Sequence, residues 1–246
     1  MQNFVNQPFL DKRRKYASWA SYAGIGALFI GVMTSQRSLL ISYVFLVVGV
    51  IAASIGAYLS NRYVKEPRAD QVLDEALKEL DKRYAIYNYY LAASHVITSH
   101  FGLTVVLPRP QKGQISYREG GKWQHRARWR RVSQFFGEPS VGKPELALAD
   151  EMEPIESWIA QVMPGEEQVP VNGVVVFTDP KAELDIESAP VNVLKVDALT
   201  DYMRDGLKGQ PVLSTSRQKE LRRVMDAVVE QSATASAGKG KKKAQE

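Results

Sequence analysis

Two long uncharged segments near the start of the chain limit the available folds most strongly. Residues 16–33 (YASWASYAGIGALFIGVM) contain no charged side chain, and neither do residues 39–59 (LLISYVFLVVGVIAASIGAYL). Each approaches the roughly 20 residues that an α-helix needs to cross about 30 Å of hydrocarbon. A cleaved signal peptide fits poorly, because no small-residue cleavage site follows the first segment and the second would still act as a stop-transfer sequence. The sequence therefore predicts two transmembrane helices.

Basic residues outside these segments predict their orientation. Cations cluster before the first segment and after the second, whereas the intervening loop holds only Arg37; the flanking cations are Lys12, Arg13, Arg14, Lys15, Arg62, Lys65 and Arg68. By the positive-inside rule, both termini are expected in the cytoplasm, with the hairpin in the cell membrane. Neither segment contains an ionisable Asp, Glu, Lys, Arg or His, so the pattern is typical of an anchor and not of a transporter.

Small residues recur every four positions within both segments, as in Ala20 and Gly24 or in Gly49, Ala53 and Ala57. Such stripes allow two helices to approach closely. Two interpretations remain open: the hairpin packs against itself, or the stripes form a homo-oligomer.

Composition excludes several kinds of site. The chain has no cysteine, which excludes disulfides, thiolate zinc sites and cysteine nucleophiles. Three histidines are too few for a histidine-rich metal site, although carboxylate sites remain possible. The net charge of +5 favours an anionic partner, either lipid headgroups or nucleic acid.

The remainder of the chain has the pattern of one α/β or α+β domain. An amphipathic helix is expected over residues 69–83, followed by short β-like segments (AIYNYYL, HVITSHF, LTVVL, QISY and KWQHRARWRR). LTVVL is expected to be a core strand, with PRPQKG as the loop that leaves it. A second helix is expected over residues 145–162, bent or interrupted at Pro154. GVVVFTD and VNVLKV predict two more strands, and residues 216–231 predict a final helix.

These patterns divide the chain into five parts. Residues 1–15 form a basic cytoplasmic N-terminus, and residues 16–64 contain the two transmembrane helices. The cytoplasmic domain occupies residues 65–213 and the C-terminal helix residues 214–231. The lysine-rich tail, residues 232–246, has nothing to bury and is expected to be disordered.

A row of cations follows the glycine pair Gly120-Gly121. If residues 118–131 form a strand, one face carries Gln124 with the cations, and the other carries Trp123 and Trp129; the cations are Lys122, Arg126, Arg128 and Arg130. This face predicts contact with anionic headgroups or with nucleic-acid phosphates. The alternative is a solvated outer face with the tryptophans packed inward.

From residue 69 to about residue 204 the chain resembles the nuclease-related domain (NERD) family of the restriction-endonuclease-like superfamily. ADQVLDEALKELDKRY resembles the opening helix of the family and AIYNYYL the strand after it. HVITSHFGLTVVL resembles the paired strands around a glycine, here Gly102. Gly113–Ile115 with Trp123 resembles the next hairpin, Glu138-Pro139 the dipeptide before the following helix, and VVVF the late buried strand. The resemblance implies a restriction-endonuclease-like α/β domain with a mixed central sheet.

The family's metal site would be degenerate in this chain. The resemblance places its helix acid at Asp70, its strand aspartate at Ser94, its glutamate at Leu107 and its lysine at Arg109. A serine and a leucine cannot hold Mg²⁺ in an oxygen cage. The expected protein is thus an inactive, membrane-anchored pseudo-nuclease without a cofactor, which acts as a binding or scaffolding module.

Two alternatives remain. One is a Mg²⁺-dependent nuclease with relocated ligands, for which Asp70, Asp74 and Glu75 are the available carboxylates on the neighbouring helix. The other is a structural subunit that assembles a membrane complex. The sequence names neither the partner nor the oligomeric state.

Overall fold

The structure is a computed structural model that describes residues 1–118, 121–126 and 140–243, with only the backbone of residues 236–243. Its contacts separate into two compact units. One unit contains the helices of residues 7–68. The other contains residues 1–6 and the described residues from Ala69 onward, apart from Ser140.

The helical unit is a hairpin of two long helices, α1 (Gln7–Thr34) and α2 (Leu39–Tyr63). At 1.5 Å per residue they extend over about 42 and 37 Å, which exceeds the roughly 30 Å hydrocarbon layer. Both are long and apolar enough to span a membrane. Helix α1 begins well before Tyr16, so the basic residues at positions 12–15 form helical turns, and the Nε–H of Arg14 donates to the carbonyl of Tyr63 at 3.4 Å.

Buried residues in each helix of the hairpin recur every seven positions. They are Leu10, Ala17, Gly24 and Gly31 in α1, and Ser42, Gly49, Gly56 and Tyr63 in α2. A Cβ added at Gly24 would lie 2.5 Å from the backbone nitrogen of Ala53, and one at Gly56 would lie 2.4 Å from Oγ of Ser21. The hydroxyl of Ser42 donates to the carbonyl of Gly31 at 2.7 Å. The glycines therefore allow the two helices of the hairpin to pack closely against each other.

The second unit is built on a mixed six-stranded sheet. Its strands, in spatial order, are β1 (Gln2–Val5), β2 (Ala85–Asn88), β3 (His95–Ser99), β4 (Gly102–Arg109), β7 (Val171–Phe177) and β9 (Asn192–Lys195). Strands β2, β3 and β4 form an antiparallel meander. The pairs β1–β2, β4–β7 and β7–β9 are parallel. The predicted α/β class with a mixed central sheet is confirmed.

Helices cover both faces of this sheet because its central strands are apolar on both sides. On one face, Val106 and Val174 pack with α3 (Ala69–Leu77) and with the short helical turns of residues 196–206. On the other face, Val105 and Val175 pack with α4 (Pro144–Val162) and α5 (Thr215–Lys243). Helix α4 is continuous through Pro154, contrary to the interruption considered from the sequence.

A three-stranded sheet lies on the α4 and α5 side. Its order is β6 (Lys122–Arg126), β5 (Gly113–Arg118) and β8 (Ala182–Ile186), with β5 antiparallel to β6 and parallel to β8. Its inward side chains, such as Ile115 and Trp123, join the core of that face. Strand β8 was not predicted from the sequence, because AELDI has no continuous apolar run.

The N-terminal residues are not simply a basic tail. Residues Gln2–Val5 form the edge strand β1, and the ring of Phe4 stacks on that of Tyr87 with centroids 4.9 Å apart. The N-terminal ammonium donates to the carbonyl of Leu80 at 2.6 Å. The helical hairpin is therefore inserted in the chain between the first strand of the domain and the rest of it.

Strand β4 extends beyond the end predicted at Leu107. It continues through Pro108 to Arg109 and stays paired with β7, with Pro108 opposite Val176. The register of β3 places His95 opposite Val106, so Pro108 lies past the start of β3. Its missing N–H thus falls where no strand requires it, which is where proline is tolerated in a sheet.

Two helices end at other residues than the sequence predicted. Helix α3 ends at Leu77, followed by turns in which the N–H of Tyr84 donates to the carbonyl of Asp81. Helix α5 does not end at Gln231 but continues to Lys243, through part of the segment expected to be disordered. Alanine and lysine, which recur in this segment, are good helix formers even without a surface to bury.

Candidate functional site

The positions that the resemblance assigns to a metal site do not converge with Asp70. Ser94 directly precedes β3, and Leu107 of β4 lies opposite Val175 of β7. Leu107 belongs to the core cluster on the α4 and α5 face, and Arg109, two residues on in the strand, follows on that face. Asp70 lies on α3, whose leucines belong to the opposite face.

Leu107 is 6% exposed, and it packs in an apolar cluster that includes Val105, Val175 and Phe177. An ionised carboxylate transferred into such surroundings without a partner would be strongly destabilising. The apolar surroundings of position 107 therefore favour leucine, and the Leu107 side chain contributes to core packing.

Asp70 is 2% exposed in the first turn of α3 and accepts a hydrogen bond from the hydroxyl of Tyr89 at 3.3 Å. A carboxylate in this turn interacts favourably with the helix dipole. Tyr89 adopts a left-handed φ of 65°, a conformation that is uncommon outside glycine. The contact joins the start of α3 to the end of β2.

A buried polar chain crosses β1, β2 and β3 on the α3 side of the sheet. The amide of Asn88 donates to Oδ1 of Asn3 at 2.9 Å, and its own Oδ1 lies 2.7 Å from Nδ1 of His95. Since a carbonyl oxygen can only accept, Nδ1 of His95 carries the proton. The ring of Tyr89 contacts that of His95 edge-on at 5.0 Å. Asn3, Asn88 and Tyr89 were not predicted from the sequence, because no motif links three strands so far apart in the chain.

Glu151 of α4 is a second carboxylate that sequence analysis did not connect with the site. Its Oε2 accepts a hydrogen bond from the backbone N–H of Ser94 at 3.2 Å. This contact brings a carboxylate of α4 to the residue that directly precedes β3. Its only sequence signal is its place in a helix, so spacing alone does not identify it.

The described part of the basic hairpin has the predicted alternation. Lys122, Gln124 and Arg126 are exposed, whereas Trp123 and His125 are half-buried. The indole N–H of Trp123 donates to Oε2 of Glu145 at 2.7 Å, which holds the tryptophan against α4. Nε2 of His125 lies 2.8 Å from the carbonyl of Lys112, so this histidine is part of the hairpin framework. Arg128 and Arg130 lie outside the described residues.

Acidic residues lie near this cationic face. The register of β5 and β8 places Gln114 opposite Glu183 and Ser116 opposite Asp185. Arg118 forms an ion pair with Asp185 at 3.0 Å. Among the described hairpin cations, Lys122 and Arg126 on the outer strand are therefore the ones best placed for an anionic surface.

Across residues 1–118, 121–126 and 140–243, no three histidine or carboxylate side chains are grouped so that they could hold a metal ion. Comparison with known proteins does not identify a relative of this chain. No family model matches the chain, and no curated protein and no solved structure matches it either.

Proposed function

We propose that this protein is a membrane-anchored module whose α/β domain is related to the nuclease-related family but binds or scaffolds instead of cutting. The observation that carries the proposal is the burial of Leu107 in an apolar cluster, at the position where the resemblance requires a metal-binding glutamate. No metal cofactor is part of the proposed function.

The types of the elements support the resemblance. Helix α3 is followed by β2, then by β3 and β4 around Gly102, then by the β5–β6 hairpin, α4 and the buried strand β7. Each of these segments is a helix or a strand as the resemblance implies. A relocated metal site, with Asp70 or Glu151 as a ligand, remains the competing hypothesis.

The proposed location is the cell membrane, with both ends of the hairpin in the cytoplasm. In the most apolar stretch of each long helix only 17% of the residues are buried, unlike the core helix of a soluble protein. The pairing of β1, which precedes the hairpin, with β2, which follows it, supports a chain that enters and leaves the membrane on the same side. The flanking cations favour the cytoplasmic side. Homo-oligomerisation is not proposed, since Gly24 and Gly56 already pack within the hairpin.

Single cysteines test this topology, since the chain has none of its own. We expect Gln36→Cys, in the exposed turn between the helices, to react with a membrane-impermeant maleimide on intact cells. Lys82→Cys, exposed beyond α3, should react only after permeabilisation. The reverse pattern, or labelling of both on intact cells, would contradict a cytoplasmic domain.

The proposed ligand of the basic hairpin is an anionic surface, either lipid headgroups or nucleic acid. We expect the full-length protein in neutral-lipid nanodiscs to bind a labelled oligonucleotide, or anionic vesicles, with an affinity that falls as salt rises. Lys122→Glu with Arg126→Glu should weaken this binding by about tenfold or more, since each reversal replaces attraction by repulsion. The matched control is Lys82→Glu with Arg223→Glu, which makes the same change of charge at exposed positions elsewhere.

The same samples test catalysis when Mg²⁺ or Mn²⁺ is added. We expect the oligonucleotide to remain intact. Metal-dependent cleavage that Asp70→Ala abolishes would overturn the pseudo-nuclease proposal in favour of relocated ligands. Absence of salt-sensitive binding to either surface would instead favour a purely structural subunit.

A further inference from the structure

A small cationic pocket lies where the end of β3 meets the first turns of α5. It is open to solvent and has a volume of about 250 Å³. Its lining residues are three cations, four polar residues and one leucine: Arg83, Lys219, Arg222, Thr98, Ser99, Thr215, Gln218 and Leu221. Pockets for drug-sized ligands are generally larger, from about 300 Å³ upward. The pocket thus suits a small polar ligand.

The cations of the pocket come from two separate parts of the chain. Lys219 and Arg222 lie one and two turns into α5, on the same helix face as Thr215. Arg83 approaches from the turn before β2 and is held by Asp81, whose Oδ2 accepts from Nε and from Nη2 at 2.9 and 2.6 Å. A guanidinium has five N–H donors, so this pairing leaves three of them for a ligand.

His100, which is close to this region, does not add to the positive charge. Burial, followed by the neighbouring Arg83 guanidinium, lowers the pKa of His100 below its ordinary value. The imidazole is therefore neutral at pH 7. The positive charge of the pocket comes from lysine and arginine, which keep their charge throughout the physiological range.

Three amide groups at the start of α5 already have acceptors. Oγ of Ser214 accepts from the N–H of Arg217 at 3.3 Å, and the carbonyl of Ser214 accepts from the N–H of Gln218 at 2.9 Å. Glu167 in turn accepts from both the N–H and the hydroxyl of Ser214, each at 2.6 Å. The cationic side chains are therefore the donors on which an anion site in this pocket would depend.

Of the two β3 residues that line the pocket, Thr98 has its side chain on the α5 side, because Val96, two residues earlier in the strand, belongs to the core cluster of that face. The Ser99 side chain lies on the opposite side, with that of Ile97. Its hydroxyl is therefore not a donor in the pocket.

We infer that this pocket binds a phosphate group, with Lys219, Arg222 and the outer N–H groups of Arg83 as cationic donors. Several donors around a small volume match the several oxygens of a phosphate, and charge-assisted hydrogen bonds are the strong ones. The site is separate from the β6 surface and does not depend on the function proposed for that surface.

The test uses full-length protein in detergent, titrated with inorganic phosphate and with a soluble inositol phosphate by calorimetry. We expect saturable binding that Lys219→Gln with Arg222→Gln weakens by about tenfold or more. The matched control, Lys82→Gln with Arg223→Gln, removes two exposed cations outside the pocket and should retain binding. All variants should keep the melting temperature of the wild-type protein.

Absence of saturable binding by the wild-type protein would overturn the inference, as would equal losses in the pocket and control variants. A second arm identifies the source of the group. If nanodiscs that contain a phosphorylated inositol lipid weaken the apparent affinity for soluble phosphate, the group is a lipid headgroup. If the affinity is the same with and without this lipid, the group is a soluble phosphate.

Discussion

Gly102→Ala is expected to destabilise the α/β domain by more than about 3 kcal/mol, lowering its melting temperature by on the order of 10 °C. Gly102 begins β4 with a φ of 100°, a conformation that L-residues rarely adopt. An added Cβ would also lie 2.3 Å from the carbonyl oxygen of Pro170. That oxygen cannot move freely, because it accepts the N–H of Leu103 at 2.9 Å. The measurement is thermal unfolding by circular dichroism in detergent.

Gly209→Ala is the matched control for the first prediction. Gly209 has nearly the same φ, 98°, but an added Cβ would have no atom within 4 Å. This variant thus carries the conformational cost alone, about 1 kcal/mol. Equal melting temperatures for the two variants would show that the contact between Gly102 and Pro170 does not limit the stability of the domain.

Gly24→Leu is expected to separate the two helices of the hairpin. An added Cβ would lie within 3 Å of the backbone nitrogen, Cα and Cβ of Ala53, and backbone atoms cannot rotate away. Helices that pack through larger side chains have axes about 8–10 Å apart, so we expect separation by on the order of 2 Å. Overpacking of this kind costs about 1–3 kcal/mol. Spin labels on cysteines at the exposed positions Ile25 and Ser54 would report the distance.

Gly26→Leu provides the comparison for the helix-separation experiment. An added Cβ at Gly26 has no described atom within 4 Å, although it lies only two residues from Gly24 on the same helix. The label distance should remain that of the unsubstituted hairpin. A widened distance with Gly26→Leu, or an unchanged one with Gly24→Leu, would contradict the packing of α1 against α2 through Gly24.

The sequence predicted much of the central meander because local patterns specify it. The apolar run of β7 and the apolar segments around Gly102 are signals within a few residues, and the structure places strands at both. The alternation in β6 is similarly local, and Lys122 and Arg126 are exposed as predicted. The contacts of the candidate site were harder to predict from the sequence. The resemblance named Ser94, Leu107 and Arg109, but the contact between Ser94 and Glu151 joins residues 57 positions apart.

Sequence alone determined the two apolar helices and the α/β class, because helix length, hydropathy and strand periodicity are properties of neighbouring residues. Tertiary structure decided that Gln2–Val5 is a strand of the domain, because a four-residue segment gains its hydrogen bonds and the Phe4–Tyr87 stack only from residues more than 80 positions away. It also decided that Asn3, Asn88 and His95 form one buried chain, and that Arg83 shares a pocket with Lys219 and Arg222. Such groupings depend on long-range pairing, and a linear pattern does not specify it.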